Sequence, residues 1–241
     1  MSDEVKLSAD GVGATTTRLR EVWESAAKRG AGLPGEQTLA EMLGVSRPSL
    51  REALARLESE GLIYRRHGAQ TAVNSAALEI SGRFDRQEDF REILRAAGFT
   101  ATQDLIRAEQ VELSETEAAR FGVPTGSPGM RIVKRWRADG IPAQLAIDLF
   151  PMTGDEDLDV SESLFSLVAS LRGEPVRWEV AVPAAVNATG DIAEWMEVDE
   201  GAALLTLECL GVTASGARAF MAFEYFRPNV VRLGLIRSIS S

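Results

Sequence analysis

Cysteine and histidine are nearly missing from this chain: Cys209 and His67 each stand alone among 241 residues. A single thiol excludes a disulfide framework within the chain and any cysteine-based zinc site, since both need several thiols. Long apolar runs are also missing, and none approaches the length that spans a bilayer. The opening "MSDEVKLSADG" is acidic and polar where a signal peptide is basic and then apolar. These absences predict a reducing, cytoplasmic setting with no membrane partner. What remains is an ordinary globular composition, 45% hydrophobic and 26% charged, and the length suits two domains.

The formal net charge of -10 is unevenly placed. Residues 1–75 hold ten Lys and Arg against ten Asp and Glu, leaving sixteen against twenty-six in the rest. A polyanion is repelled on average by the second part and accepted by the first only where its bases segregate onto one face. "SRPSLREALARLESEGLIYRRHGAQTAV", residues 46–73, carries that segregation in Arg47, Arg51, Arg56, Arg65, Arg66 and His67.

Periodicity supplies the elements. Leu19, Val22, Trp23 and Ala26 form a helical stripe, with Thr15–Thr17 as N-cap candidates and Gly30 as a stop. A second stripe, Leu39, Met42 and Leu43, is interrupted at Gly44, and a third, Leu50, Ala53, Leu54 and Leu57, ends at Gly61. Two short helices around a glycine-containing turn match a helix-turn-helix. "LIYRRHGAQTAV" reads as two short strands, which makes the motif winged. The expected divisions are a flexible terminus over 1–14, a winged helix-turn-helix domain over 15–74, a linker over 75–84 and a second domain over 85–237. In the last, "FDRQEDFREILRAAGF", "SETEAARFG", "SESLFSLVASLRG" and "TGDIAEWM" read as helices. "MRIVKRWRADGIPAQLAIDLF", "VRWEVAVPAAV" and "LLTLECLGVTASGARAFMAFEYF" read as strands, with "ADG" and "ASG" as hairpin turns. An α+β fold around an antiparallel sheet follows.

In a helix-turn-helix the second helix presents its first residues to base edges. Here these are Arg47, Pro48, Ser49 and Arg51, with Ser46 as N-cap. Arginine suits the place because its planar fork bonds guanine O6 and N7 together, worth about 1–3 kcal/mol of discrimination. Arg65 and Arg66 suit phosphates, and His67 and Gly68 form the wing tip. Charged faces of amphipathic helices are usually just solvated, but the glycine turn, basic first turn and basic wing occur here in the order that DNA reading requires.

"LPGEQTLAEMLGVSRPSLREALARLESEGLIYRRHGAQTAV" resembles the winged helix of the GntR family of bacterial transcription regulators, whose pattern is close to L-P-S-E-R-x-L-A, V-S-R-x-T-V-R-x-A-L, L-x-x-x-G-L and G-x-G-T-x-V. The resemblance places Ser46, Arg47, Ser49, Arg51, His67 and Gly68 at DNA-contacting positions. Gln37 replaces a usual Arg and counts as a contact of weaker kind, Pro48 enters the recognition turn, and Gln70 replaces the second wing glycine.

All-helical GntR types often bind metal through several His and Asp, for which this chain lacks the histidines; neither metal nor cofactor is expected. "RIVKRWRADGIPAQLAIDLFP", "SESLFSLV" and "AFEYFRPNVVRL" instead resemble the HutC branch, whose UTRA effector domain resembles a chorismate-lyase-like fold. In members that sense amino-sugar phosphates, two Arg precede the D-G turn, an acid follows, a Ser-x-Tyr opens a helix and a Tyr precedes a late Arg. Those places hold Lys134 and Trp136, Ala146, Ser163 and Phe165, and Phe226. The resemblance thus implies an effector site of Lys134, Trp136, Ser163, Phe165 and Phe226. Lys134, Ser163 and a helix start after Ser161 suit an anionic group, and the aromatics an apolar body. The same aromatics equally suit plain core, and a one-residue slip of register turns Arg135 and Arg137 inward instead.

The function expected is a ligand-responsive repressor that binds a near-palindromic, double-stranded DNA operator as a homodimer. A constitutive repressor with a degenerate effector domain is the alternative. An enzyme, suggested by the lyase-like fold, finds no histidine in the second domain, no paired-carboxylate signature, and a Cys209 set in an apolar strand.

Overall fold

Local sequence rules account for the first helices. In the computed structural model, which describes residues 3–65, 68–154 and 158–237, α1 spans Asp3–Lys28, α2 Glu36–Leu43 and α3 Arg47–Ser59. Periodicity predicts that α1 begins at Thr15, with residues 1–14 flexible. It begins twelve residues earlier, at Asp3. Gly11 and Gly13 and the lack of an apolar stripe hid that extension, and Thr15 and Thr16 are buried mid-helix rather than capping it. α2 stops at Gly44, whose φ of 60° is left-handed and whose N–H reaches the carbonyls of Ala40 and Glu41. Leu19, Trp23, Leu39, Leu50, Leu54 and Leu57 close one core, and Trp23 Nε1 donates to the Leu62 carbonyl at 2.7 Å.

Strands β1 (Ile63–Tyr64) and β2 (Ala72–Val73) pair antiparallel as the predicted wing. The segment expected to be a bare linker is structured. Ser75–Glu79 forms a 3₁₀ turn, and β3 (Gly82–Arg83) pairs in parallel with β10 (Leu233–Gly234). The chain therefore divides differently from the expectation of 85–237. The first unit takes residues up to Gln87 and, among the described residues, 233–237, while the second holds Glu88–Arg232. A pairing between segments 150 residues apart leaves no local trace, which is why the sequence assigned this tail to the second domain.

The second unit is a six-stranded antiparallel sheet in the order β4-β5-β6-β9-β8-β7. Its strands are β4 (Ala101–Glu112), β5 (Pro128–Ala138), β6 (Ile141–Pro151), β7 (Val176–Asn187), β8 (Ala203–Thr213) and β9 (Arg218–Phe226). Helices α4 (Phe90–Ala96), α5 (Glu115–Phe121), α6 (Leu164–Arg172) and α7 (Gly190–Trp195) connect them. α4 begins at Phe90, capped by Asp89, so Phe84 lies outside the helix predicted for it. β4 escaped the sequence reading because an edge strand alternating Asp104, Arg107, Glu109 and Glu112 with apolar residues looks like a solvated segment. Asp139 and Gly140, at φ 49° and 86°, make the two-residue hairpin turn between β5 and β6.

Strand parity splits the sheet into two faces. Val133, Leu145, Ala193, Met196 and Leu204 pack together with α7, and Leu113, Ala118, Phe121, Leu149 and Met221 pack with α5. The opposite face carries Lys134, Trp136, Gln144, Asp148, Glu224 and Phe226, as the registers Lys134↔Ala146, Trp136↔Gln144, Ala146↔Glu224 and Gln144↔Phe226 require.

Candidate nucleic-acid interface and effector face

The start of α3 is built to be presented. Ser46, at φ -69° and ψ 152°, caps the helix by accepting from the Ser49 amide at 3.3 Å. Pro48 sits in the first turn, where a missing N–H removes no intrahelical bond. With Leu50, Ala53, Leu54 and Leu57 turned to the core, Ser46, Arg47, Pro48 and Arg51 are exposed and Ser49 is half-buried. Arg47 donates to Gln37 Oε1 at 3.3 Å, and Gln37 donates to Glu41 at 3.2 Å. Arg51 Nε meets Glu36 at 3.1 Å. Such exposed pairs contribute about 0–1 kcal/mol, so phosphates and base edges can replace them.

On the wing, Arg65 is held by Glu58, its Nε 2.7 Å from the carboxylate. That guanidinium keeps the Glu58 carboxyl below its usual range. Gly68, at φ 72°, has open space where a side chain would stand. Arg66 and His67 lie outside the described residues. Gln70, a departure from the family pattern, has a structural use: its Nε2 donates to the Leu33 carbonyl at 3.0 Å, and Leu33 N donates to the Thr71 carbonyl at 3.0 Å. The wing base is thereby tied to the loop ahead of α2.

In the second unit the register places Lys134 and Trp136 on the face opposite α7, while Arg135 and Arg137 lie on the α7 face. There both arginines bond Asp104, at 2.9 and 2.7 Å, and Arg135 Nη1 donates to the Trp195 carbonyl at 2.7 Å. These arginines hold Asp104 low, and Glu197 foremost, with Asp104, raises Arg137. Phe226 is buried against Phe90, ring centroids 5.7 Å apart, and Phe165 meets Phe220 edge-on at 5.5 Å. Trp136 and Phe165 are half-buried. Ser163 is the N-cap of α6, accepting from Ser166 N at 3.1 Å, so the helix starts after Ser163 rather than after Ser161 as expected. Ser161 instead donates to Asp159. Lys134, only 3% exposed, donates from Nζ to the Glu162 carbonyl at 2.6 Å.

Sequence reasoning missed the carboxylates on this face. Asp148 is 5% exposed, and burial pushes it up to about 7 against the pull of Lys134. Burial, with Glu179 and Asp148 nearby, pushes Glu224 up to about 8. Burial also raises Glu179, which bonds Cys209. The signal was present: single acids interrupt the apolar runs "LAIDLF" and "AFEYF". Cys209 is buried and its thiol is pushed well up, first by burial, so it is no nucleophile.

Comparison with known proteins accounts for both units. Residues 17–73 match the family described as bacterial regulatory proteins, gntR family, and residues 96–232 match the UTRA domain. The chain is 26% identical over 196 residues to the HTH-type transcriptional repressor NagR of Bacillus subtilis (strain 168), covering 80% of this chain and 78% of NagR. Its fold is similar to that of a possible transcriptional regulator, YydK, from Bacillus subtilis subsp. subtilis str. 168, with a TM-score of 0.72 at 14% identity, covering 95% and 99% of the two chains. It is also similar to PhnF from Mycobacterium smegmatis, with a TM-score of 0.59 at 21% identity over 88% and 93% of the chains. With an open, arginine-bearing helix start in one unit and a UTRA sheet in the other, this chain is a transcription regulator of the GntR family, of the HutC type that carries a UTRA effector domain, and not an enzyme.

Proposed function

We propose that this regulator is a ligand-responsive repressor that binds a near-palindromic DNA operator as a homodimer. The observation that carries the DNA reading is the first turn of α3, where Arg47 and Arg51 stand exposed beside a capped helix start. Repression is supported by the likeness to a relative described as a repressor. Two recognition helices reach successive major grooves only when about 34–36 Å apart, which favours a twofold dimer. The UTRA match supports a small-molecule effector, and a coupling of about 1–3 kcal/mol changes operator affinity 5- to 150-fold.

The test uses a duplex enriched from a random pool by the purified chain. Arg47→Ala with Arg51→Ala is expected to abolish preference for that duplex in fluorescence anisotropy while the mass by light scattering stays unchanged. Retained preference removes α3 from the interface.

A further inference from the structure

Resting on the reading of the second unit as an effector domain, we propose that its effector is a small organic cation, an amine with an apolar body, seated over Ala146. Ala146 places only a methyl on the sheet, and four polar side chains surround it. Lys134 lies beside it on β5 and Glu224 beside it on β9, with Gln144 two residues before and Asp148 two residues after on β6. Strands about 4.8 Å apart put Lys134 and Glu224 roughly 10 Å from each other across that methyl.

The charges there are unequal. Lys134 donates one N–H to the Glu162 carbonyl, and its single charge faces Asp148, with Glu224 and Glu179 as further acids on the same face. Among the described residues no hydrogen bond to Asp148 or Glu224 is seen, Glu179 makes both harder to ionise, and Asp148 adds to that effect on Glu224. Arg91 lies near Lys134 but is paired with Asp89, and Asp159 adds another acid on that side. An anion entering here meets carboxylates, whereas an ammonium group satisfies them.

A second observation points to a ligand independently of the acids. Gln144 is only 4% exposed, yet among the described residues its Oε1 has no hydrogen-bond partner, and neither has Nε1 of Trp136, its register neighbour on β5. Leaving a buried acceptor unbonded is costly, so an occupant that donates to Gln144 recovers that loss. The occupant's own acceptor would meet Trp136 Nε1. Phe226 and the Trp136 ring supply an apolar, cation-tolerant frame. A metal ion is a poorer occupant, because no group of three acids, thiols or imidazoles among the described residues is placed to hold one.

The test is calorimetric titration of the full chain with a panel of primary arylalkyl- and alkylamines, 2-phenylethylamine among them, against their carboxylate isosteres such as 3-phenylpropionate and against glucosamine 6-phosphate. At least one amine is expected to bind at least tenfold more tightly than its isostere and to release protons near pH 7, seen as heats that vary with buffer. Asp148→Asn and Glu224→Gln are each expected to weaken it at least tenfold without lowering the melting temperature. Preference for the carboxylates or the sugar phosphate, or no binding by any amine, overturns the cation assignment. Operator anisotropy in the same samples separates the underlying reading. An amine that binds without altering operator affinity upholds the cation site and removes ligand response, while a sugar phosphate that alters it does the reverse.

Discussion

Ser46 shows how much a single side chain can settle. Its hydroxyl accepts from the Ser49 amide, and that one bond sets where α3 begins and therefore which residues face outward. Ser46→Ala is expected to lower stability by about 1 kcal/mol, read as a reduced urea midpoint at unchanged slope. Arg65 differs in kind from Arg47. It is paired with Glu58 on the wing; under the proposed role as a phosphate contact, Arg65→Ala is expected to weaken binding evenly across sequences and reduce the salt slope by about 1. Two carboxyls, the buried Asp148 and the half-buried Glu224, give the second unit a pH signature. Asp148 and Glu224 have folded values of about 7 and about 8, above those of the unfolded chain, so the folded state holds more protons. Stability is then full below about pH 4 for these two groups and falls as pH rises through 8. Melting curves at a series of pH values are expected to show that decline, and Asp148→Asn to flatten it. Acids held low by arginine, such as Asp104, act oppositely and only below that window. The exposed start of α3 was legible because caps and helical stripes are local. Asp148 and Glu224 were not, because which groups meet across strands depends on register.

Among the elements, α3 carries an unusual terminus. Glu60, its C-cap, is 4% exposed and negative at the helix end that disfavours negative charge. Arginines from three places neutralise it: Arg20 of α1, Arg56 one turn back at 3.4 Å, and Arg86 beyond β3, while Arg83 Nη1 donates to the Glu60 carbonyl at 2.8 Å. Glu60→Ala is expected to destabilise the first unit by on the order of 2–3 kcal/mol, below the full effect of a wholly buried pair because the guanidiniums are partly solvated. Protease protection of α3 checks it, and protection unchanged from the parent contradicts the proposed role. The sheet offers a contrast in legibility. The β5–β6 hairpin declared itself through Asp139-Gly140, residues that tolerate a left-handed turn. β4 did not, because its alternating acids and bases pair with β5 along a ladder that no local pattern announces.

For the molecule as a whole, the net charge of -10 makes DNA binding depend on placement rather than total, and operator affinity is expected to fall steeply with salt. The proposed homodimer needs a surface as well. Edge strand β7 exposes Trp178, Val180 and Val182 on one face, 67%, 57% and 56% accessible, with Phe223 of β9 on that same face. Apolar rows of this size are uncommon on monomers, and a self-similar apolar row suits a second copy. Val180→Asp with Val182→Asp is expected to halve the mass in light scattering and to weaken operator binding; a dimer of unchanged mass places the interface elsewhere.

Short-range physics was readable from the residues alone: helix periods, the Ser46 cap, the Gly44 stop, the hairpin turn and the basic cluster that points to DNA each rest on neighbours within about one helical turn. Long-range pairing was not. The β3–β10 ladder, the register that turns Lys134 toward one face and Arg135 toward the other, and the gathering of Asp148, Glu224 and Gln144 around Ala146 come from strands distant in sequence. Side chains on a strand alternate with a period of two, so one residue of register decides which face a charge occupies, and that choice is made by packing of the whole sheet.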